Sequence, residues 1–281
     1  MDTQLLKRQF AKIGAQLDVH FVSAQPRARS PWARMVREFS LDIVERGPKR
    51  RNEVFTLTIS KALQDQLDFS AVDVRPKERH LLLMLKRLDN GADITKEKFL
   101  CGHDERHWFV ASVPEETSVA NVTQAMEALK PDLVVGAQKR AGVKRKDWHK
   151  RKNAGYIRQG EWFFLPEPTF SPPSSWLILY KEPIQRGGGK PHFVEQVYRT
   201  GGETVYVSHQ SPNGLTVTQY KALIRQQPKL EKLNWQVMRR NPTVYAKGKI
   251  RHPDHQTIVL PYWHRVVMNI EHQSANVVFL D

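Results

Sequence analysis

The 281-residue chain predicts an α+β fold in two lobes, each with a mostly antiparallel sheet and a few helices, joined by a basic arm. Three observations predict it. Short alternating or apolar runs bounded by turn residues recur through both halves, helical periodicity is confined to a few segments, and a dense run of Lys and Arg with no apolar stripe separates the halves. An apolar share of 40% with 12 Phe, 7 Trp and 7 Tyr exceeds what a disordered chain carries, so the charge sits on a folded scaffold.

Residues 1–135 are expected to form the N-terminal lobe. Glu53 to Ser60 alternates as a strand, and Arg79 to Arg87 contains the β-compatible run His80-Leu81-Leu82-Leu83-Met84-Leu85. After a turn at Asp89-Asn90-Gly91, Lys98 to Cys101 and His107 to Val113 read as the arms of a hairpin with its tip at Gly102-His103-Asp104-Glu105. These strands predict a meander of three or four. Ser118 is a candidate N-cap, and Val119, Val122, Met126 and Leu129 recur at helical spacing, so a helix is expected over 118–130. Pro131 interrupts or restarts it, with Leu133, Val134 and Ala137 continuing one face towards Gly142.

Residues 136–155 are read as the connecting arm. At 100° per residue its charges fall on different faces of a helix, so the arm is expected to be helical only when bound. Residues 156–281 are expected to form a β-rich lobe. Tyr156 to Leu165 is strand-like with a turn at Gly160-Glu161, Trp176 to Tyr180 is another strand, and Phe193 to Tyr198 with Glu203 to Ser208 predict a hairpin about Thr200-Gly201-Gly202. Ser211-Pro212-Asn213-Gly214 reads as a turn opening a helix that runs to about Gln227. Thr216 and Gln219 predict its capping box, and Leu215 with Tyr220 a hydrophobic staple. Thr243 to Lys247, Thr257 to Leu260 and Trp263 to Met268 are the last expected strands.

The formal charge of +15 is concentrated. Lys139, Arg140, Lys144, Arg145, Lys146, Lys150, Arg151, Lys152 and Arg158 face one acid, Asp147, and supply +8 of it. The segment with Arg27, Arg29, Arg34, Arg37, Arg46, Lys49, Arg50 and Arg51 against three acids supplies +5, so the two carry 13 of the 15 charges. A general solubility bias would spread the excess; two dense segments point to contact with a polyanion. Nucleic acid is the expected partner. Trp148 within the arm and Tyr156 just after it offer rings for base stacking at about 1–3 kcal/mol each, which favours RNA or single-stranded DNA over duplex. A groove is expected with Arg27 to Arg51 on one side and Lys139 to Arg158 on the other.

Two polar clusters bear on catalysis. Cys101, His103, Asp104, Glu105 and His107 carry donors suited to a transition metal at a hairpin tip, and His252, Asp254 and His255 carry an acid flanked by two imidazoles, able to orient a water or hold a cation that does. The expected function is sequence-tolerant nucleic-acid binding in a larger nucleoprotein assembly, with no cofactor. The alternative is a metal-dependent nuclease or phosphodiesterase, with His103, Asp104, His107, His252, Asp254 and His255 as its catalytic candidates and a divalent metal, and it gains weight if the two clusters meet in space. A third reading is a subunit that docks its arm on an acidic protein.

Several classes are excluded by residue type. Gly187-Gly188-Gly189-Lys190 is followed by Pro191, with no Ser or Thr and no helix start, which removes a nucleotide P-loop and leaves a β-connection. No Gly-x-Ser-x-Gly elbow or dinucleotide fingerprint occurs. Cys101 is the only cysteine, so neither an intramolecular disulfide nor a zinc ribbon is available, and a reducing compartment is expected. Residues 1–13 are too charged for a signal peptide and no apolar run approaches a membrane span, so the expected location is cytoplasmic, with no integral membrane association.

Overall fold

The computed structural model describes residues 1–23, 38–46, 52–89, 93–114, 118–185 and 190–271. The fold is α+β, with several mainly antiparallel sheets. The chain opens with α1 (Thr3–Lys12), capped by Asp2, whose carboxylate accepts the Leu5 N–H at 2.9 Å. Strands β1 (Leu17–Val22), β2 (Phe39–Arg46) and β3 (Asn52–Ser60) form a three-stranded sheet with β3 in the middle, parallel to β1 and antiparallel to β2. Strands β4 (Leu67–Arg75), β5 (His80–Asp89), β6 (Asp93–Asp104) and β7 (His107–Val113) form the predicted meander in sequential order. The expected turn at Asn90-Gly91 lies outside the described residues.

Burial on both faces explains why β5 is continuously apolar from Leu81 to Leu85 instead of alternating. Leu81, Leu83 and Leu85 point into a core shared with α1, the first sheet and Phe55, Phe69 and Phe99. Leu82 points the other way, with Leu100, Ala111 and Val113, against α2 (Val122–Ala128). The helix begins later than expected: Asn121, not Ser118, caps it by accepting the Gln124 N–H at 2.9 Å. Pro131 restarts the chain as α3 (Asp132–Arg140), whose Val134 and Ala137 pack on Tyr156, Phe163 and Leu165. The anticipated boundary at residue 135 therefore falls inside a helix that packs on the second lobe.

In that lobe, β8 (Ile157–Gln159), β9 (Trp162–Pro166), β10 (Ile178–Ile184), β11 (His192–Thr200), β15 (Thr243–Arg251) and β16 (Ile258–Met268) form one six-stranded sheet in the order β10-β11-β15-β16-β9-β8. A smaller sheet holds β12 (Glu203–Ser208) between β13 (Ser211–Thr216) and β14 (Gln236–Arg240), with α4 (Val217–Gln226) against it. The capping box forms as predicted: Gln219 N–H donates to Thr216 Oγ1 at 3.2 Å, and Thr216 N–H to Gln219 Oε1 at 2.9 Å. Tyr220 stacks on Tyr206 with ring centroids 4.0 Å apart.

The second lobe departs from expectation in three places. β11 and β12 do not pair with each other. Instead β11 pairs with β15 and β12 with β14, so the two long segments run side by side from one sheet into the next, Thr200 opposite Thr243 and Glu203 opposite Arg240. At the bend, Gly201 and Gly202 have φ of 69° and 77°, and a Cβ on Gly202 would lie 2.7 Å from the Arg240 carbonyl. The glycines thus allow two ladders to pass at close range rather than a hairpin to close. Ser211 to Gly214, expected as a turn, forms part of β13, and the two expected final strands are one, running through Pro261. No described helix is long and apolar enough to cross a membrane.

Candidate active site at the junction of the lobes

The β6–β7 hairpin of the first lobe reaches the second through its tip. Strand alternation separates His103 from Asp104. The His103 ring packs edge-on against Trp108 at 4.9 Å, with the Arg79 guanidinium over the indole, whereas Asp104 meets Arg151 of the arm and Arg158 of β8, the latter at 2.9 Å. Burial pushes the Asp104 carboxyl up, but Arg158 and Arg151 outweigh it and hold it below the usual carboxylate range. Glu105 takes a φ of 50°, uncommon outside glycine, and its carboxylate is anchored there: it pairs with Arg151, accepts the Gln256 N–H at 2.7 Å, and lies 3.5 Å from His255 Nδ1.

A second network lies beside it. His107 joins two carboxylates, with Nδ1 2.5 Å from Glu53 Oε1 and Nε2 3.8 Å from Asp254 Oδ1. Glu53 also accepts the Trp108 N–H at 2.7 Å, and Lys190 pairs with Asp254 at 2.6 Å. Burial raises the Asp254 carboxyl, and Lys190, with His107 and His252, more than reverses it, so the group is ionised at neutral pH.

Three imidazoles converge behind these networks. His192 opens β11, His252 follows β15, and His255 stands in the loop before β16; their centroids are separated by 4.1 Å (His192 to His252), 4.7 Å (His252 to His255) and 5.6 Å (His192 to His255). One ring nitrogen from each lies within 4.8 Å of the others. Burial is the main cause that pushes His192 down to about 3 and His255 down to about 4, so both are neutral at pH 7. The β8–β9 turn is drawn onto this loop, with Gln159 Nε2 donating to the Gln256 carbonyl at 2.7 Å.

A cleft of about 110 Å³ opens between the lobes here, lined on one side by Asp104 and His107 and on the other by His252, Asp254, His255 and Gly160. Five of the six residues singled out as catalytic candidates therefore share one cavity, and His103 packs away from the other five. His192 belongs to the cluster and was not anticipated. It stands alone between Pro191 and Phe193, with no neighbouring donor to mark it.

The arm is more ordered than the sequence suggested. A short 3₁₀ turn, Arg145–Asp147, leads to Trp148, whose carbonyl accepts from Lys130 Nζ (2.9 Å), Gln138 Nε2 (2.9 Å) and Tyr156 Oη (2.8 Å). Tyr156 is only 1% exposed and is part of the core with Phe163, so it cannot stack a base. Trp148 is half-buried, with its Nε1 donating to the Val143 carbonyl and Lys130 over its ring. Arg151 and Arg158 are engaged with carboxylates, and Lys150 pairs with Asp147 at 2.6 Å. Lys139, Arg140, Lys144, Arg145, Lys146 and Lys152 are exposed and form no ion pair among the described residues. Arg27, Arg29, Arg34, Arg37, Lys49, Arg50 and Arg51, and the glycines 187–189, lie outside the described residues; Arg46 pairs with Asp18 at 2.6 Å.

Comparison with family models, curated proteins and solved structures finds no match in any of the three.

Proposed function

We propose that the protein binds nucleic acid, with the basic arm as the surface that meets the phosphate backbone and RNA or single-stranded DNA as the favoured form. The observation that carries this reading is the display of six exposed, unconsumed bases on a scaffold pinned by three hydrogen bonds to one carbonyl. A pre-arranged cationic surface meets a polyanion without first ordering a chain. With Tyr156 in the core, base stacking falls to rings elsewhere, and Trp176 and Tyr180 at the β10 edge are 93% and 61% exposed.

Six phosphate contacts predict that log K falls with log salt at a slope of about −4 for a single strand, at roughly 0.7 per contact, and about −5 for duplex, at roughly 0.9. Fluorescence anisotropy with an unstructured oligonucleotide at several salt concentrations checks this. Changing Lys144, Arg145, Lys146 and Lys152 to Ala should flatten the single-strand slope by about 3. Affinity and slope that survive these changes count against the arm, and docking on an acidic protein is then the reading left for it.

A second reading, a metal-dependent phosphodiesterase, is favoured by the convergence of Asp104, His107, His252, Asp254 and His255 on one cleft. Ionised Asp254 against His107 is a pair able to take and return a proton, and the cleft places both beside the imidazole cluster. Incubation of end-labelled RNA and single-stranded DNA with the protein should give cleavage that stops with chelator and falls about 100-fold or more in Asp254→Asn, as expected for loss of an acid–base group. Substrate left intact with every divalent cation tried leaves the protein a binder only.

A further inference from the structure

We propose that His192, His252 and His255 bind a zinc-class divalent cation through their ring nitrogens, with Glu105 orienting His255 from behind. The inference is independent of nucleic-acid binding and supplies the cation that the phosphodiesterase reading requires. Four features of the site carry it.

The donor atoms are close. Tetrahedral zinc with nitrogen ligands at about 2.0–2.1 Å needs donors roughly 3.4 Å apart. The three imidazole nitrogens already lie within 4.8 Å of one another, so each pair has at most about 1.4 Å to close.

His192 lacks any other account. It is fully buried, and neither ring nitrogen has a hydrogen-bond partner among the described residues. A buried imidazole with both nitrogens unsatisfied is costly, and an apolar side chain would fill the space without that cost. A bound cation removes the anomaly at one nitrogen.

Space is kept open in front of the donors. Gly160 lies in the β8–β9 turn with φ of 57°, and a Cβ there would stand 2.9 Å from His255 Nε2 and 3.5 Å from His192 Nε2. Any other residue would intrude on the point that both nitrogens face. The turn conformation and the cavity thus call for the same residue.

Behind His255 stands a carboxylate. Glu105 Oε2 is 3.5 Å from Nδ1, the nitrogen opposite the one facing Gly160, and Glu105 is itself held by Arg151 and the Gln256 N–H. The contact is at ion-pair distance without a formed hydrogen bond; drawn closer on ligation, carboxylate, imidazole and metal in that sequence would fix the proton on Nδ1 and leave Nε2 to bind. His252 has an adjustment to make: its Nδ1 accepts the Asp254 N–H at 3.1 Å, so ligation through Nε2 moves the ring proton and breaks that contact. Three neutral nitrogen donors select zinc, cobalt or nickel over magnesium and calcium, which prefer oxygen. Three protein ligands also leave a fourth position for water or a phosphate oxygen.

The test uses full-length protein stripped with chelator and titrated with zinc, then with cobalt as a spectroscopic probe. One zinc per chain and the visible absorption of tetrahedral cobalt are expected. His192→Gln and Gly160→Ala should each weaken zinc binding by about 100-fold, and Glu105→Gln by about 10–100-fold, while His209→Ala, at an exposed turn, leaves it unchanged. Circular dichroism establishes that each variant is folded. Folded wild-type protein that takes up no zinc overturns the proposal whatever the variants do, as does full zinc affinity in folded His192→Gln or Gly160→Ala. Oligonucleotide affinity measured on the same samples tests the binding reading separately.

Discussion

Asp104→Ala is expected to lower the stability of the protein by roughly 3 kcal/mol, the lower end of the range for breaking a buried ion pair from one side. The carboxylate is 16% exposed and serves Arg151 and Arg158, so its removal leaves two neighbouring guanidinium groups at the lobe junction with Glu105 as the remaining acid. The estimate sits at the low end because those arginines retain 30% and 24% exposure and can be partly hydrated. The comparison pair is Lys150 with Asp147, where the lysine is 65% exposed; Lys150→Ala should leave the midpoint close to that of wild type. Urea midpoints of the two variants check the contrast. Adding Arg158→Met to Asp104→Ala should recover part of the loss, because the stranded charge is removed with its partner. Equal midpoints for Asp104→Ala and wild type would mean that the junction is not held by these charges.

The sequence legibility of this fold follows the range of the interactions involved. Strand β3, the β5–β6–β7 meander and the capping box of α4 depend on side-chain period and on residues three apart, and all three were readable. The pairing of β11 with β15 depends on partners about 50 residues distant, and the local signal, two glycines between two strands, fits a hairpin equally well. The core role of Tyr156 was hidden for a similar reason: in sequence it follows a run dense in Lys and Arg, whereas its neighbours in space are Val134, Ala137 and Phe163. At the candidate site, the five residues that stand in short polar clusters could be found because a polar cluster stands out locally. His192 joins them only through the register of β11 against β15, which sets Phe193 opposite Arg251 and hence His192 beside His252.

The same buried imidazoles make the metal-free protein sensitive to mild acid. In the unfolded chain His192 and His255 protonate near pH 6.5, while in the folded protein burial delays this to about 3 and about 4. Between those values the unfolded chain binds more protons, so falling pH draws the equilibrium towards it. Stability is therefore complete above about pH 6.5 and drains away as pH falls towards the folded values, at about 1.4 kcal/mol per pH unit for each histidine. The pair should remove roughly 5 kcal/mol by pH 4.5, comparable to the lower end of the 5–15 kcal/mol typical of a whole domain. His80, His149 and His264 are displaced in the same direction by burial and add to the slope. The depressed carboxyls of Asp104 and Asp254 begin to lose their contribution only as pH falls through the unfolded value of about 3.8, below the pH 4.5 end of this window. Urea unfolding with chelator at pH 7.5, 6.5, 5.5 and 4.5 should show the decline, and His192→Gln should flatten it by about 1.4 kcal/mol per pH unit whatever its absolute stability. Zinc-loaded protein should hold its pH 7.5 stability to lower pH, because protons must then displace the cation before the imidazoles can charge. Constant stability of the metal-free protein from pH 7 to 5 would show that His192 and His255 are hydrated in solution, and would remove the desolvated pocket on which their neutrality depends.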